Sequence, residues 1–339
     1  GAGFIPLGIA GTVGNVARNN TIYRSGENAL QVETTSNMTP VLGCSGGQQN
    51  VPCPFVAYLL TDTDISGNTV YDNVEAMEAD GGQVVNTRIV GNTFRNIEIS
   101  TLSMQPGQFG PTWYIRNIIS KPASTPFNFR GGEVFKFRGE NTSKYAYLYH
   151  NSIWLDHTGN YVRAYALNNS FKNWRYVFRN NSFYTQGSNV ADFRSSLTYY
   201  EKPNMNYNSY ANASGGATVN VDGTSYTTIT TLRTQGLEAN GGFWAPGYTD
   251  PANGDFRLLA SSGNIDKGMY IPGINDGFGG SAPDIGAIEL GAAPPACAPH
   301  APERPGVHER SRRTQVHHPH VLPRHRHLDP RGRRGLGSH

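Results

Sequence analysis

A short phrase built on asparagine returns throughout the first two thirds of the chain: NNTIYRSG from residue 19, GNTVYDN from 67, GNTFRNI from 91, IRNIIS from 115, YHNSIW from 149, RNNSFY from 179 and NYNSYA from 206. Measured between Asn68, Asn92, Asn117, Asn151, Asn181 and Asn208, the steps are 24, 25, 34, 30 and 27 residues. A period of that length means stacked supersecondary units, with loops of unequal length leaving one face of the stack. Each phrase follows or opens a short β-branched or aromatic run, such as NTRIV, TWYI, YAYLY or RYVF, and these runs read as strands. Asparagine suits the corners because it tolerates left-handed backbone angles and because stacked amides can hydrogen-bond from one unit to the next. Asparagine as a mere turn former does not account for the period.

Composition agrees with many strands and turns and few helices. Of 339 residues only 16% are charged, while Gly (40), Tyr (18) and Phe (15) are plentiful. The formal charge of +3 conceals a division: residues 291–339 hold nine of the 28 Lys and Arg, three of the 25 Asp and Glu and eight of the ten His. The remainder has 19 basic against 22 acidic residues, so it offers no electrostatic case for nucleic acid. No run approaches the roughly 18 apolar residues of a membrane span. The opening GAGFIPLGIAG carries no signal peptide and reads as a mature or truncated start.

Repeats of about 24 residues with three short strands and no helix describe a parallel β-helix. The phrases GNTF, RNNSFY and HNSI over residues 15–210 resemble the right-handed parallel β-helix proteins of the pectate-lyase-like superfamily. The stretches EAMEADGGQVVNTRIVGNTF, GPTWYIRN and YLYHNSI look like a bacterial subgroup of them. The expected fold is all-β: a right-handed parallel β-helix solenoid over residues 1–210, terminal coils and a cap over 211–290, and a disordered tail over 291–339. The segment NGDFRLLASSGNIDKGMYIPGINDGFGGSAPDIGAIE looks like the closing segment of secreted β-helix carbohydrate enzymes. Cys44 and Cys53 flank a polar loop inserted at about 34–55, where a disulfide or a free pair fits equally, and no zinc spacing accompanies them. A bridge there would place the protein outside the cytoplasm.

Alternation along the strands separates an inward from an outward face. Leu30 and Val32, then Met77 and Ala79, are expected inside; Gln31 and Glu33, then Glu78 and Asp80, are expected outside. The outward column is expected to continue through Ser103 and Gln105, Lys136 and Arg138, Arg163 and Tyr165, and Asp192 and Arg194. It forms a wall running from acidic to basic, suited to an extended saccharide. Trp113, Trp154, Tyr161 and Tyr165 are candidate stacking residues.

Chemistry is expected where Asp72, Glu75, Glu78 and Asp80 crowd nine residues of an acid-poor chain. Glu78 and Asp80, at i and i+2 with Cα atoms roughly 6.5–7 Å apart, could serve as acid and base across a glycosidic bond. Glu75, expected at the bend before the strand, would tune them by like-charge repulsion. Alternatively Glu75, Glu78 and Asp80 hold Ca²⁺, and Lys136 abstracts the proton α to a uronate carboxyl, with Arg163 or His150 as acid. The bland alternative is a set of solvated acids, with His150 in a structural hydrogen bond and Arg88 and Arg116 pairing with the acids. The polygalacturonase pattern of NTD, DD and HG is missing, as are serine-hydrolase, P-loop and dinucleotide signatures.

The resemblance and the cluster together imply a secreted, periplasmic or cell-surface enzyme that degrades polysaccharide in a groove along the solenoid. Hydrolysis without a cofactor leads, and a Ca²⁺-dependent lyase follows. A non-catalytic carbohydrate-binding or surface β-helix is the alternative of another class. Glu75, Glu78, Asp80 and Lys136 are the catalytic candidates. Ser103, Gln105, Arg138, Arg163, Tyr165 and His150 are the substrate-binding candidates. The expected partner is the polysaccharide, with no nucleic acid, no membrane span and a monomeric state.

Overall fold

The computed structural model describes residues 7–10, 13–25, 28–33, 60–80, 84–105, 110–121, 133–137, 146–156, 163–167, 176–187, 189–193 and 204–291. All belong to the first of two compact units, residues 1–298. The Cys44 to Cys53 loop and the tail from residue 292 lie outside the described residues.

The protein is all-β, with long, mostly parallel sheets stacked on one another, an arrangement compatible with a β-helix solenoid. One sheet runs Val16–Arg18, Asp64–Ser66, Thr87–Val90, Thr112–Ile115, Ala146–Tyr149, Tyr176–Arg179 and Asn204–Asn206, in chain order and parallel throughout. A larger sheet contains two lanes joined by two long strands, Thr69–Asp80 and Thr93–Gln105. The first part of Thr69–Asp80 pairs with Thr21–Tyr23, and its second part pairs with Asn28–Glu33. Thr93–Gln105 likewise pairs with Ile118–Lys121 by its first part and with Glu133–Phe137 by its second. A repeat therefore lays down three short parallel runs before the next begins one strand spacing away, about 4.8 Å.

The inward faces build one core. Leu30, Met77, Leu102 and Phe135 lie in register on neighbouring strands and are wholly buried, and Phe178, Phe183 and Phe193 continue the apolar interior.

The asparagines form a ladder at one corner. Each Nδ2 donates to the Oδ1 of the next: Asn20 to Asn68 at 2.8 Å, Asn68 to Asn92 at 2.9, Asn92 to Asn117 at 3.0, Asn117 to Asn151 at 3.0, Asn151 to Asn181 at 2.8 and Asn181 to Asn208 at 2.9. The same Oδ1 also accepts the main-chain N–H of the preceding asparagine, as Asn151 does from Asn117 at 3.0 Å. The second amide hydrogen goes to a carbonyl, that of Tyr114 in the case of Asn151. All four hydrogen-bonding valences of such an amide are filled, which is what lets six of these asparagines lie wholly buried.

The left-handed angle falls one residue earlier than expected. Asn19, Gly67, Gly91, Arg116, His150, Asn180 and Tyr207 have φ between 53° and 64°, and each precedes a ladder asparagine. The ladder asparagine is kept for its amide, and its neighbour makes the turn. A second left-handed column, Asp72 and Asn96, bends the two long strands, with Asn96 Nδ2 donating to Asp72 Oδ1 at 2.6 Å.

Beyond Asn208 the chain forms the hairpin Thr218–Val221 and Thr224–Tyr226, a short helix Ile229–Thr234 and the antiparallel pair Tyr248–Asp250 and Asp255–Leu258. Residues 264–290 then run back along the stack. Asn264 bonds Ser182, Ala287 bonds Ser152, and Arg116 bonds the Ala287 carbonyl and Glu289.

Candidate functional site

The register builds the expected column directly: Gln31, Glu78, Ser103 and Lys136 stand side by side on four successive strands. Glu33, Asp80 and Gln105 align two positions on. The next partner of Lys136 is Ala166, so Arg163 and Tyr165 do not continue this column as expected; they align with Glu133 and Phe135. Counting from the asparagines slips there because the loops between strands differ in length. Arg138 lies outside the described residues, as does Arg194. Of Asp80, Gln105, Arg163 and Tyr165 only the strand positions are described.

Glu75 is not at a bend. It lies inside the long strand, three residues after the turn at Asp72, and its register partners are Asn28 and Ser100. Two carboxylates of one strand and an ammonium from the second strand along then meet across Thr93–Gln105. Lys136 Nζ is 3.0 Å from Glu75 Oε1 and 3.9 Å from Glu78 Oε1, and the three side chains are 10%, 12% and 8% exposed in the order Lys136, Glu75, Glu78. Glu78 Oε1 also accepts from Ser103 Oγ at 3.1 Å, and Glu78 Oε2 accepts from Asn28 Nδ2. Both oxygens of Glu78 are therefore held, while Glu75 is tied to the lysine.

Burying three charges is costly unless attraction and hydrogen bonds repay it. Here the repayment is incomplete, because Asn28 Oδ1 and Ser100 Oγ are buried beside Glu75 with no hydrogen-bond partner. Asn28 and Ser100 were not singled out from the sequence, although NALQVE at residue 28 and EAMEAD at residue 75 share one pattern and align residue for residue.

A cation shared by Glu75 and Glu78 would compete with the Lys136 ammonium for the same carboxylates. Among the described residues no three His, Cys, Asp or Glu side chains group to hold a metal.

The other candidates stand elsewhere. His150 is wholly buried: its Nδ1 meets the Gly286 carbonyl at 3.2 Å, and its Nε2 meets the amides of Asn180 and Asn275, each at 2.8 Å. Burial, reinforced by the Arg116 charge, drives its pKa down to about 3, so the ring is a neutral connector between the ladder corner and the closing segment. Arg116 pairs with Glu289 at 3.4 Å rather than with the acids of the column. Arg88 lies on the other long sheet, between Asp64 and Trp113 in register. Trp113 stacks on Tyr147 at 4.3 Å, and Trp154 is buried in the cluster of Tyr248, Phe256 and Leu258. No helix among the described residues is long and apolar enough to cross a membrane.

No protein-family model matches the chain, and no curated protein matches it significantly.

Proposed function

We propose that the stacked sheets are the coils of a right-handed parallel β-helix of the pectate-lyase-like kind, acting outside the cytoplasm to hydrolyse glycosidic bonds of a polysaccharide. One observation supports this most: two carboxylates and an ammonium share a buried, incompletely satisfied polar cluster on the column expected to face the substrate.

In this reading Glu78, whose two oxygens are fixed by Asn28 and Ser103, is the base. It takes a proton from water as the water oxygen bonds to the anomeric carbon. Asp80, two positions along the same strand, protonates the leaving oxygen as the glycosidic bond breaks. Lys136, paired with Glu75, keeps the surplus negative charge from dispersing the cluster. The lyase alternative would use the Lys136 amine as base, and that amine is already committed to Glu75. A second reading, a saccharide-binding protein without catalysis, is favoured by the burial of Glu78, which is 6% exposed.

The test is incubation with a polysaccharide panel, with and without a chelator, following reducing ends and the absorbance of unsaturated uronates together. New reducing ends without that absorbance, indifferent to chelator, are expected. Absorbance that the chelator abolishes contradicts hydrolysis in favour of the lyase. Tight binding with neither signal leaves the non-catalytic reading.

A further inference from the structure

The closing segment displays a half-exposed aromatic residue, Tyr270. Residues 269–278 form a loop pinned from within by Asn275, which is 2% exposed. Its Oδ1 accepts the Ile271 N–H at 2.8 Å, and its Nδ2 donates to the Met269 carbonyl at 2.9 Å and meets His150 Nε2 at 2.8 Å. Asn180 adds two bonds to Met269, accepting its N–H at 2.7 Å and donating to its carbonyl at 2.8 Å. Ile271 and Ile274 pack on the cluster of Ile115, Tyr149 and Val177, which Trp113 and Tyr147 also join. The inner side of the loop is thus fixed to the sheet.

Its outer side carries Tyr270, 50% exposed, and Met269, 39% exposed. The Tyr270 ring is held in place: its hydroxyl donates to Asp276 Oδ1 at 2.6 Å, and its ring meets Phe278 at 6.0 Å and 56°. Asp276 Oδ2 accepts the Gly273 N–H at 2.8 Å. Each carboxylate oxygen carries one donor and retains capacity for another. An immobilised, solvent-facing ring beside a carboxylate with spare acceptors costs little entropy to engage.

We propose that Tyr270 and Asp276 form a docking site for an uncharged sugar ring, separate from the Glu78 cluster. The C–H face of a pyranose stacks on Tyr270, and its neighbouring hydroxyls donate to Asp276. The carboxylate disfavours a uronate at this position, because two like charges would meet across the contact. The choice of a saccharide rests on the reading of the chain as a polysaccharide-handling protein; the site itself uses neither Glu78 nor Lys136.

The test is retardation of the full chain in native gels containing β-glucan, xylan, galactomannan or polygalacturonate. Retardation is expected in at least one neutral gel. Tyr270→Ala should weaken it roughly tenfold, as loss of a single aromatic stack implies, with an unchanged melting temperature. Tyr270→Phe should keep most of it. No retardation in any neutral gel overturns the proposal, as does a Tyr270→Ala protein retarded like the wild type. Hydrolysis that persists in Tyr270→Ala without any change in retardation sinks this site and leaves the hydrolase reading standing. Tyr270-dependent retardation in a protein that cleaves nothing does the reverse.

Discussion

Asn208 donates its side-chain amide to Glu238 Oε1 at 2.6 Å and its main-chain N–H to Glu238 Oε2 at 3.1 Å, and with these two bonds the asparagine ladder stops. The ladder is polar: every rung passes donors toward higher residue numbers, so its last member needs an acceptor that returns nothing. A carboxylate meets that need, and Tyr210 donates to it as well at 2.8 Å. Glu238→Ala should therefore cost about 3 kcal/mol or more, since it strands several buried donors at once, and chemical denaturation reads the loss directly. Gly241 guards the same place, because a Cβ there would stand 2.8 Å from the Asn208 carbonyl and collide with Glu238. Gly241→Ala should destabilise in the same assay.

Glu238 and His150 give the stability opposite responses to pH. Burial raises the Glu238 pKa from 4.5 to about 7, against the pull of its donors. The folded state then holds a proton the unfolded state has lost, and stability falls as pH rises between those values. His150 is lowered from 6.5 to about 3, so its contribution is present above 6.5 and is lost as pH falls toward 3. Where the windows overlap, the two slopes oppose each other. Relative to the wild type, Glu238→Gln should lose the decline between about 4.5 and 7, and His150→Gln should lose the acid sensitivity. Denaturation midpoints across that range check both; parallel profiles for all three proteins contradict the assignment.

Asn151 sits midway along the ladder with every valence used. Asn151→Ala should cost about 3–5 kcal/mol, because Asn117 loses the acceptor for two donors and the Tyr114 carbonyl loses its donor. Asn20, at the exposed first rung, should tolerate the same change with a far smaller shift in melting temperature.

Lys136 pairs with both Glu75 and Glu78. Lys136→Met should destabilise by about 3–5 kcal/mol by leaving buried carboxylates uncompensated. Adding Glu75→Gln to it should restore part of the loss, and a double-mutant cycle measures the coupling.

The ladder was legible because an amide that must meet its own kind every turn imposes a period on the sequence, and Asn68 to Asn208 kept it. The inward positions of Leu30 and Met77 followed from alternation, which did not foresee that Glu78, expected outside, is buried. What escaped depended on contacts between distant segments. Glu238 lies 30 residues beyond Asn208, a step like the earlier ones, but it is not an asparagine and no recurring phrase marks it. Asn28 became visible as a partner of Glu78 only once Asn28–Glu33 was in register with Glu75–Asp80. The slip at Arg163 and Tyr165 came from loops of unequal length, which no count from the corner asparagines corrects. The sequence offers His150 a structural hydrogen bond ahead of proton transfer but not its partners, which come from the distant closing segment at Asn275 and Gly286.

The most direct measurement is turnover by Glu78→Gln on the polysaccharide that the wild type cleaves, alongside the melting temperature of both. The substitution keeps the shape of the side chain and an acceptor for Ser103 while removing the base. The account predicts a folded protein with release of reducing ends lowered by at least about a hundredfold. A folded Glu78→Gln protein that cleaves at the wild-type rate would contradict it.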